Sequence, residues 1–174
     1  MPEGNSHSTT KETKERHVPY ISDILIGTAL GSGYWPWGPG TAGAAFGTAL
    51  WCLYAYSIAD MSVVTLVTIL LALLVTLLSI RPIDRLERFW GPDPSRVVID
   101  EAVGVWVTLL AVPSSREWYY VFCAFLLFRV MDILKPLGCR AIDRKLHGGW
   151  GVMLDDILAG VYGAVVLWAI TFCM

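Results

Sequence analysis

Charge is missing from long parts of this chain. Charged residues make up only 16% of its 174 residues, and residues 41–59, 61–80 and 157–174 contain none. Runs of that length exclude an ordinary solvated surface along them. Paired metal-binding spacing is also missing. The four cysteines, Cys52, Cys123, Cys139 and Cys173, are scattered, and the three histidines form no pair. A zinc centre is therefore disfavoured, and ordinary buried thiols are the simpler reading. The N-terminal segment 1–17 has no apolar core, which rules out a signal peptide or a span there. It is polar and rich in Ser, Thr, Lys and Glu, so residues 1–19 read as a disordered cytoplasmic tail. No internal repeat is present.

What remains is apolar. Hydrophobic residues are 55% of the chain, which places residues 20–174 as a single membrane-embedded domain. At about 1.5 Å per residue, residues 61–80 can cross roughly 30 Å of hydrocarbon. Residues 41–59 and 157–174 are two further spans. Stretches 102–112 and 118–128 become long enough only if their helices take in Asp100-Glu101 and residues 129–134, leaving those charges at helix ends near water. Segment 20–30 is too short to span and reads as an interfacial or re-entrant helix. The expected fold is therefore an all-α polytopic bundle of about five transmembrane helices plus that short helix. Loop charge sets the orientation. Segment 81–96 carries Arg81, Arg85, Arg88 and Arg96, and the connection after the fourth span carries Lys135, Arg140, Arg144 and Lys145. Turn 57–62 has no Lys or Arg, and turn 113–117 has one. The positive-inside rule then puts the N-terminus and both basic connections in the cytoplasm.

With that orientation, four polar clusters that played no part in choosing it fall on the cytoplasmic face: 31–41, 100–101, 129–135 and 143–156. Asp100, Glu101, Asp132, Asp143, Asp155 and Asp156 would crowd negative charge into one region, which cations must offset. Arg129, Lys135, Arg140 and Arg144 offset part of it. A hard divalent ion held by carboxylate oxygens is the natural remainder, and Mg²⁺ fits best because it also binds substrate phosphate. Basic groups beside such an ion imply an anionic, phosphate-bearing substrate. Arg129, Asp132 and Lys135 lie on one helical stripe, and Pro136 ends or kinks that helix. Asp155 and Asp156 point about 100° apart, so they need not serve one metal. Pro39-Gly40-Thr41 at a helix start offers N–H groups and a hydroxyl to an anion, with Ser32 nearby in sequence. Taken singly, each charge could equally be a snorkelling helix-end residue. Six acids at one face make that reading weak.

These elements resemble the phosphatidylglycerophosphatase A family of bacterial inner-membrane lipid phosphatases. The matching stretches are Gly-Ser-Gly-x-x-Pro-x-x-Pro-Gly-Thr-x-Gly from Gly31 to Gly43, Asp100-Glu101-x-x-Gly104, Phe128-Arg129-x-x-Asp132-x-x-Lys135-Pro136, Asp143-Arg144-x-x-His147-Gly148-Gly149 and Asp155-Asp156-x-x-Ala159-Gly160. The resemblance implies Mg²⁺-dependent removal of the terminal phosphate of phosphatidylglycerophosphate at the cytoplasmic face of a bilayer. In that reading Asp100, Glu101, Asp155 and Asp156 hold the metal. Ser32, Thr41, Arg129, Lys135, Arg140 and Arg144 meet the phosphate, and Asp132, Asp143, His147 and Asp155 supply the catalytic groups. Other phosphatase chemistries find no footing. Cys123 and Arg129 have the C-x5-R spacing, but the intervening Ala-Phe-Leu-Leu-Phe cannot cradle phosphate with backbone N–H groups. Neither a D-x-D-x-[TV] nor a Pro-Ser-Gly-His stretch occurs. The competing class is a membrane transporter with ion-coupled carboxylates, which would place the charges near mid-bilayer.

Overall fold

The computed structural model describes residues 18–135 and 148–173. Among the described residues there are six α-helices, one short 3₁₀ turn at Ser32–Tyr34 and no strand. The helices are α1 (Ile21–Gly27), α2 (Pro39–Ala55), α3 (Met61–Trp90), α4 (Ile99–Leu109), α5 (Trp118–Leu134) and α6 (Gly149–Cys173). Helix α4 is the hub. It packs against α2, α3, α5 and α6, while α1 lies on α3. Nearly all of α4 is buried, including Val103, Val105, Trp106 and Leu109. Small residues let its neighbours come close: a side chain at Gly47 of α2 would meet the backbone of Ala102, and one at Gly160 of α6 would meet the carbonyl of Gly104. Two hydrogen bonds fix those approaches, from Trp106 Nε1 to the Gly47 carbonyl (2.7 Å) and from Thr108 Oγ1 to the Gly160 carbonyl (3.0 Å).

The outer surface is apolar rather than charged. Leu66, Leu70, Leu73, Leu74, Leu77 and Leu78 of α3 all stand exposed. Helices α3 and α6 are long and apolar enough to cross a membrane, and only 22% and 28% of their most apolar windows are buried inside the protein. A core helix of a soluble protein would show the reverse.

Two boundaries differ from the sequence reading. Residues 81–90, expected in a loop, extend α3 without a break through Pro82. Pro82 removes one intrahelical bond, and burial of Ile83 and Leu86 on one face keeps the helix going. Helix α4 has only 11 residues, about 16 Å by the usual rise. Five transmembrane helices therefore remain an expectation; among the described residues, α3 and α6 are long and apolar enough to span. Helix α5 begins and ends where the extended fourth stretch was expected, closing on Lys135 in a left-handed conformation before Pro136. Segment 20–30 forms α1, a helix of seven residues.

Candidate active site

Five helix ends meet at one pole of the bundle. The last turn of α3, the first turns of α2, α4 and α6, and the last turn of α5 surround a cleft of about 370 Å³. Its lining includes Glu87, Asp93, Asp100, Glu101, Asp132, Lys135, Gly148, Asp155 and Asp156. Asp100 and Glu101 occupy the first turn of α4, where the positive end of the helix dipole favours acids. Asp156 lies in the second turn of α6.

Carboxylate oxygens of Asp100, Glu101 and Asp156 lie within 4.8 Å of one another. Asp100 and Asp156 are 8% and 5% exposed, so water does little to separate their charges. Asp100 Oδ1, Glu101 Oε2 and Asp156 Oδ2 are buried with no hydrogen-bond partner among the described residues. Three crowded carboxylates with orphaned oxygens are a poor arrangement for stability alone. The same donor set suits a hard cation that takes oxygen ligands.

The remaining charges divide into pairs beside this trio. Arg129 Nη1 bonds Asp132 Oδ2 at 2.6 Å across one turn of α5. Lys135 Nζ bonds Asp155 Oδ2 at 2.6 Å and so ties the end of α5 to α6. Asp155, expected among the metal ligands, lines the same cleft and accepts from Lys135, while its neighbour Asp156 joins Asp100 and Glu101. Adjacent helical residues point about 100° apart, which turns Asp156 toward the α4 acids and Asp155 toward Lys135 at the end of α5.

The glycine-proline segment approaches the trio through Gly40 rather than through its hydroxyls. A side chain at Gly40 would collide with Glu101 Oε1 and crowd the Arg129 guanidinium. Thr41 is exposed in the first turn of α2, and Ser32 donates to the Thr28 carbonyl at 3.2 Å. Neither lines the cleft. Arg140, Asp143, Arg144 and His147 lie outside the described residues. Cys123 is exposed on α5, whereas Asp132 of the same helix reaches the cleft.

Sequence reading overlooked Glu87 and Asp93, and took Gly40 as part of an anion-binding helix start rather than as a close approach to Glu101. Glu87 is three residues beyond Asp84 on the part of α3 taken for a loop, so no helical stripe was available to place it. Gly40 carried a signal, since a small residue at a helix start beside proline permits close approach.

Comparison with known proteins bears on this cleft. The profile of the family described as Phosphatidylglycerophosphatase A matches residues 25–171. A Bacteroides thetaiotaomicron protein provisionally named a phosphatidylinositol-3-phosphatase is 48% identical over 86% of this chain and 93% of its own length. An Escherichia coli protein named phosphatidylglycerophosphatase A is 33% identical over 84% of this chain and 81% of its own. A Haemophilus influenzae protein of the same name is 46% identical over 47% of this chain and 50% of its own. No solved structure matches significantly.

Proposed function

Because the chain belongs to the phosphatidylglycerophosphatase A family, we propose that it hydrolyses the terminal phosphomonoester of phosphatidylglycerophosphate, giving phosphatidylglycerol and phosphate, with Mg²⁺ in the cleft. The observation that carries this reading is the trio of Asp100, Glu101 and Asp156, whose buried oxygens lack partners among the described residues and converge within 4.8 Å. A bound Mg²⁺ would offset their charge and polarise a phosphoryl oxygen and a water. The chain's own residues do the rest. Arg129 and Lys135 neutralise the phosphate, each already oriented by a carboxylate, Asp132 or Asp155. Asp132 lies within the cleft to orient the attacking water for in-line displacement. Asp143, His147, Arg140 and Arg144 stay candidates from the sequence for the same tasks. The exposed leucine face of α3 and the apolar length of α6 support residence in a bilayer. Loop charge supports a cytoplasmic active site in a bacterial inner membrane, where the lipid headgroup reaches the cleft.

The relatives' names point to two lipids, and both carry a phosphomonoester on a glycerophospholipid headgroup. The test is phosphate release by purified protein in mixed micelles of phosphatidylglycerophosphate, phosphatidylinositol 3-phosphate or phosphatidic acid, each with Mg²⁺. Fastest turnover on phosphatidylglycerophosphate supports the proposal. Turnover confined to phosphatidylinositol 3-phosphate moves the substrate assignment, and turnover of none refutes a lipid phosphatase. The transporter reading finds no support, since Asp100, Glu101, Asp132, Asp155 and Asp156 sit within one or two turns of a helix end around one polar cleft rather than in mid-helix.

A further inference from the structure

Among the described residues, the start of α6 offers no side chain of its own as a cap. Residues 148 and 149 are both glycine, and the first turn exposes N–H groups that need acceptors. One is met from another helix. Asp84 Oδ1, on α3, accepts a hydrogen bond from Gly149 N–H at 2.7 Å. Gly148 turns the chain into α6 with φ +77°, and a side chain there would strike that same Asp84 oxygen. A side chain at Gly149 would strike the Ile80 backbone one turn earlier on α3. Both glycines are thus shaped to α3, and Asp84 supplies the negative group that a helix N-terminus favours.

This junction bears on the cleft through α6 itself. Gly149 and Asp156 are seven residues apart, close to two full turns, and so lie on nearly one face of a stiff helix. Any slide or rotation at Gly149 is carried to Asp156. Asp84 is neither a member of the acidic trio nor among the residues that line the cleft.

We infer that Asp84 is a positioning residue: by capping α6 from α3, it sets Asp156 at the height and rotation that let its carboxylate converge with those of Asp100 and Glu101. The inference rests on the proposed metal-dependent reading, and it concerns the shape of the site rather than its chemistry.

Asp84→Asn keeps the acceptor oxygen, and Asp84→Leu keeps the bulk without it. Three measurements on the full-length protein compare them: hydrogen exchange over residues 149–156, Mn²⁺ affinity by electron paramagnetic resonance, and phosphate release. Asp84→Leu is expected to exchange about tenfold faster at the start of α6, and to lose about 10- to 100-fold in Mn²⁺ affinity and kcat, the usual scale for groups that orient ligands. KM for lipid should stay unchanged, because Asp84 does not meet the substrate. Asp84→Asn is expected to stay within about threefold of wild type in all three, as an amide oxygen can accept the same bond.

Wild-type Mn²⁺ affinity in Asp84→Leu, or losses in a folded Asp84→Asn as large as those of the leucine variant, would overturn the inference. If Asp84→Leu does not fold, the asparagine variant still decides. Wild-type protein that neither binds Mn²⁺ nor releases phosphate would overturn the functional reading. Hydrogen exchange would then still judge the cap, and unchanged exchange in Asp84→Leu would refute it.

Discussion

The two ends of the helix bundle treat charge in opposite ways. At the end formed by the α2–α3 and α4–α5 turns, Arg116 donates through Nη1 to the carbonyls of Ala55 and Ile58 and through Nη2 to that of Ala59. Tyr56 returns a hydrogen bond to the Arg116 carbonyl at 2.7 Å. Asp60 caps α3 by accepting from Ser62 N–H at 2.8 Å. Arg116 and Asp60 each finish a helix or a turn by bonding backbone groups. At the other end, Asp100, Glu101 and Asp156 face one another, with buried oxygens that no group of the described chain satisfies. The first arrangement is what charge looks like when it serves folding; the second carries a cost that folding alone does not explain.

The largest separation of the two ends comes from neutralising the acids. Asp100→Asn and Asp156→Asn are expected to lower phosphate release roughly a thousandfold or more, since an ion at such a site supplies several kcal/mol and each 1.4 kcal/mol is tenfold. In metal-free buffer their melting temperatures should equal or exceed that of wild type, because one repelling charge is gone. A variant that loses activity only by unfolding would erase the distinction between the ends.

The mirror substitution is Arg116→Met, which keeps the stem and removes the donors. Loss of hydrogen bonds from a charged group to three carbonyls should cost on the order of 2–3 kcal/mol of stability. Activity per folded molecule should stay within about twofold of wild type. Thermal melts in detergent alongside phosphate release check both halves.

Much of this contrast was legible in the sequence. The uncharged run 61–80 marked α3 as an apolar helix, and loop charge, by orienting the spans, put Asp100, Glu101, Asp132, Lys135, Asp155 and Asp156 at one face. The continuation of α3 to Trp90 was hidden by Pro82, whose cost is outweighed by burial of Ile83 and Leu86, a tertiary effect. The caps were hidden for a similar reason. Asp84 and Gly149 are 65 residues apart in sequence, and no local pattern announces a cap supplied by a distant helix. The division of labour between Asp155 and Asp156 depended on where Lys135 and α4 stand, which helical phase suggests but packing decides.

A smaller effect is expected from the close glycine packing at the acidic end. Gly40→Ala forces a methyl group toward Glu101 and Arg129. A displacement of that size should lower kcat about tenfold with a lesser change in melting temperature. Full activity in Gly40→Ala would mean that the Glu101 carboxylate tolerates a shift the account forbids.

Sidedness should leave activity unchanged and alter only labelling. In a background lacking native cysteines, Ser115→Cys should react with an impermeant thiol reagent from outside, and Ser95→Cys only once the membrane is opened. Labelling of both from the same side would place the two ends in one compartment.

The central claim is that the crowded carboxylates exist to hold a divalent cation that the phosphatase reaction needs. Phosphate release from phosphatidylglycerophosphate by wild-type protein, measured in EDTA and then on titration with Mg²⁺, tests it most directly. The account predicts no release in chelator and full recovery with Mg²⁺; undiminished release in chelator would contradict it.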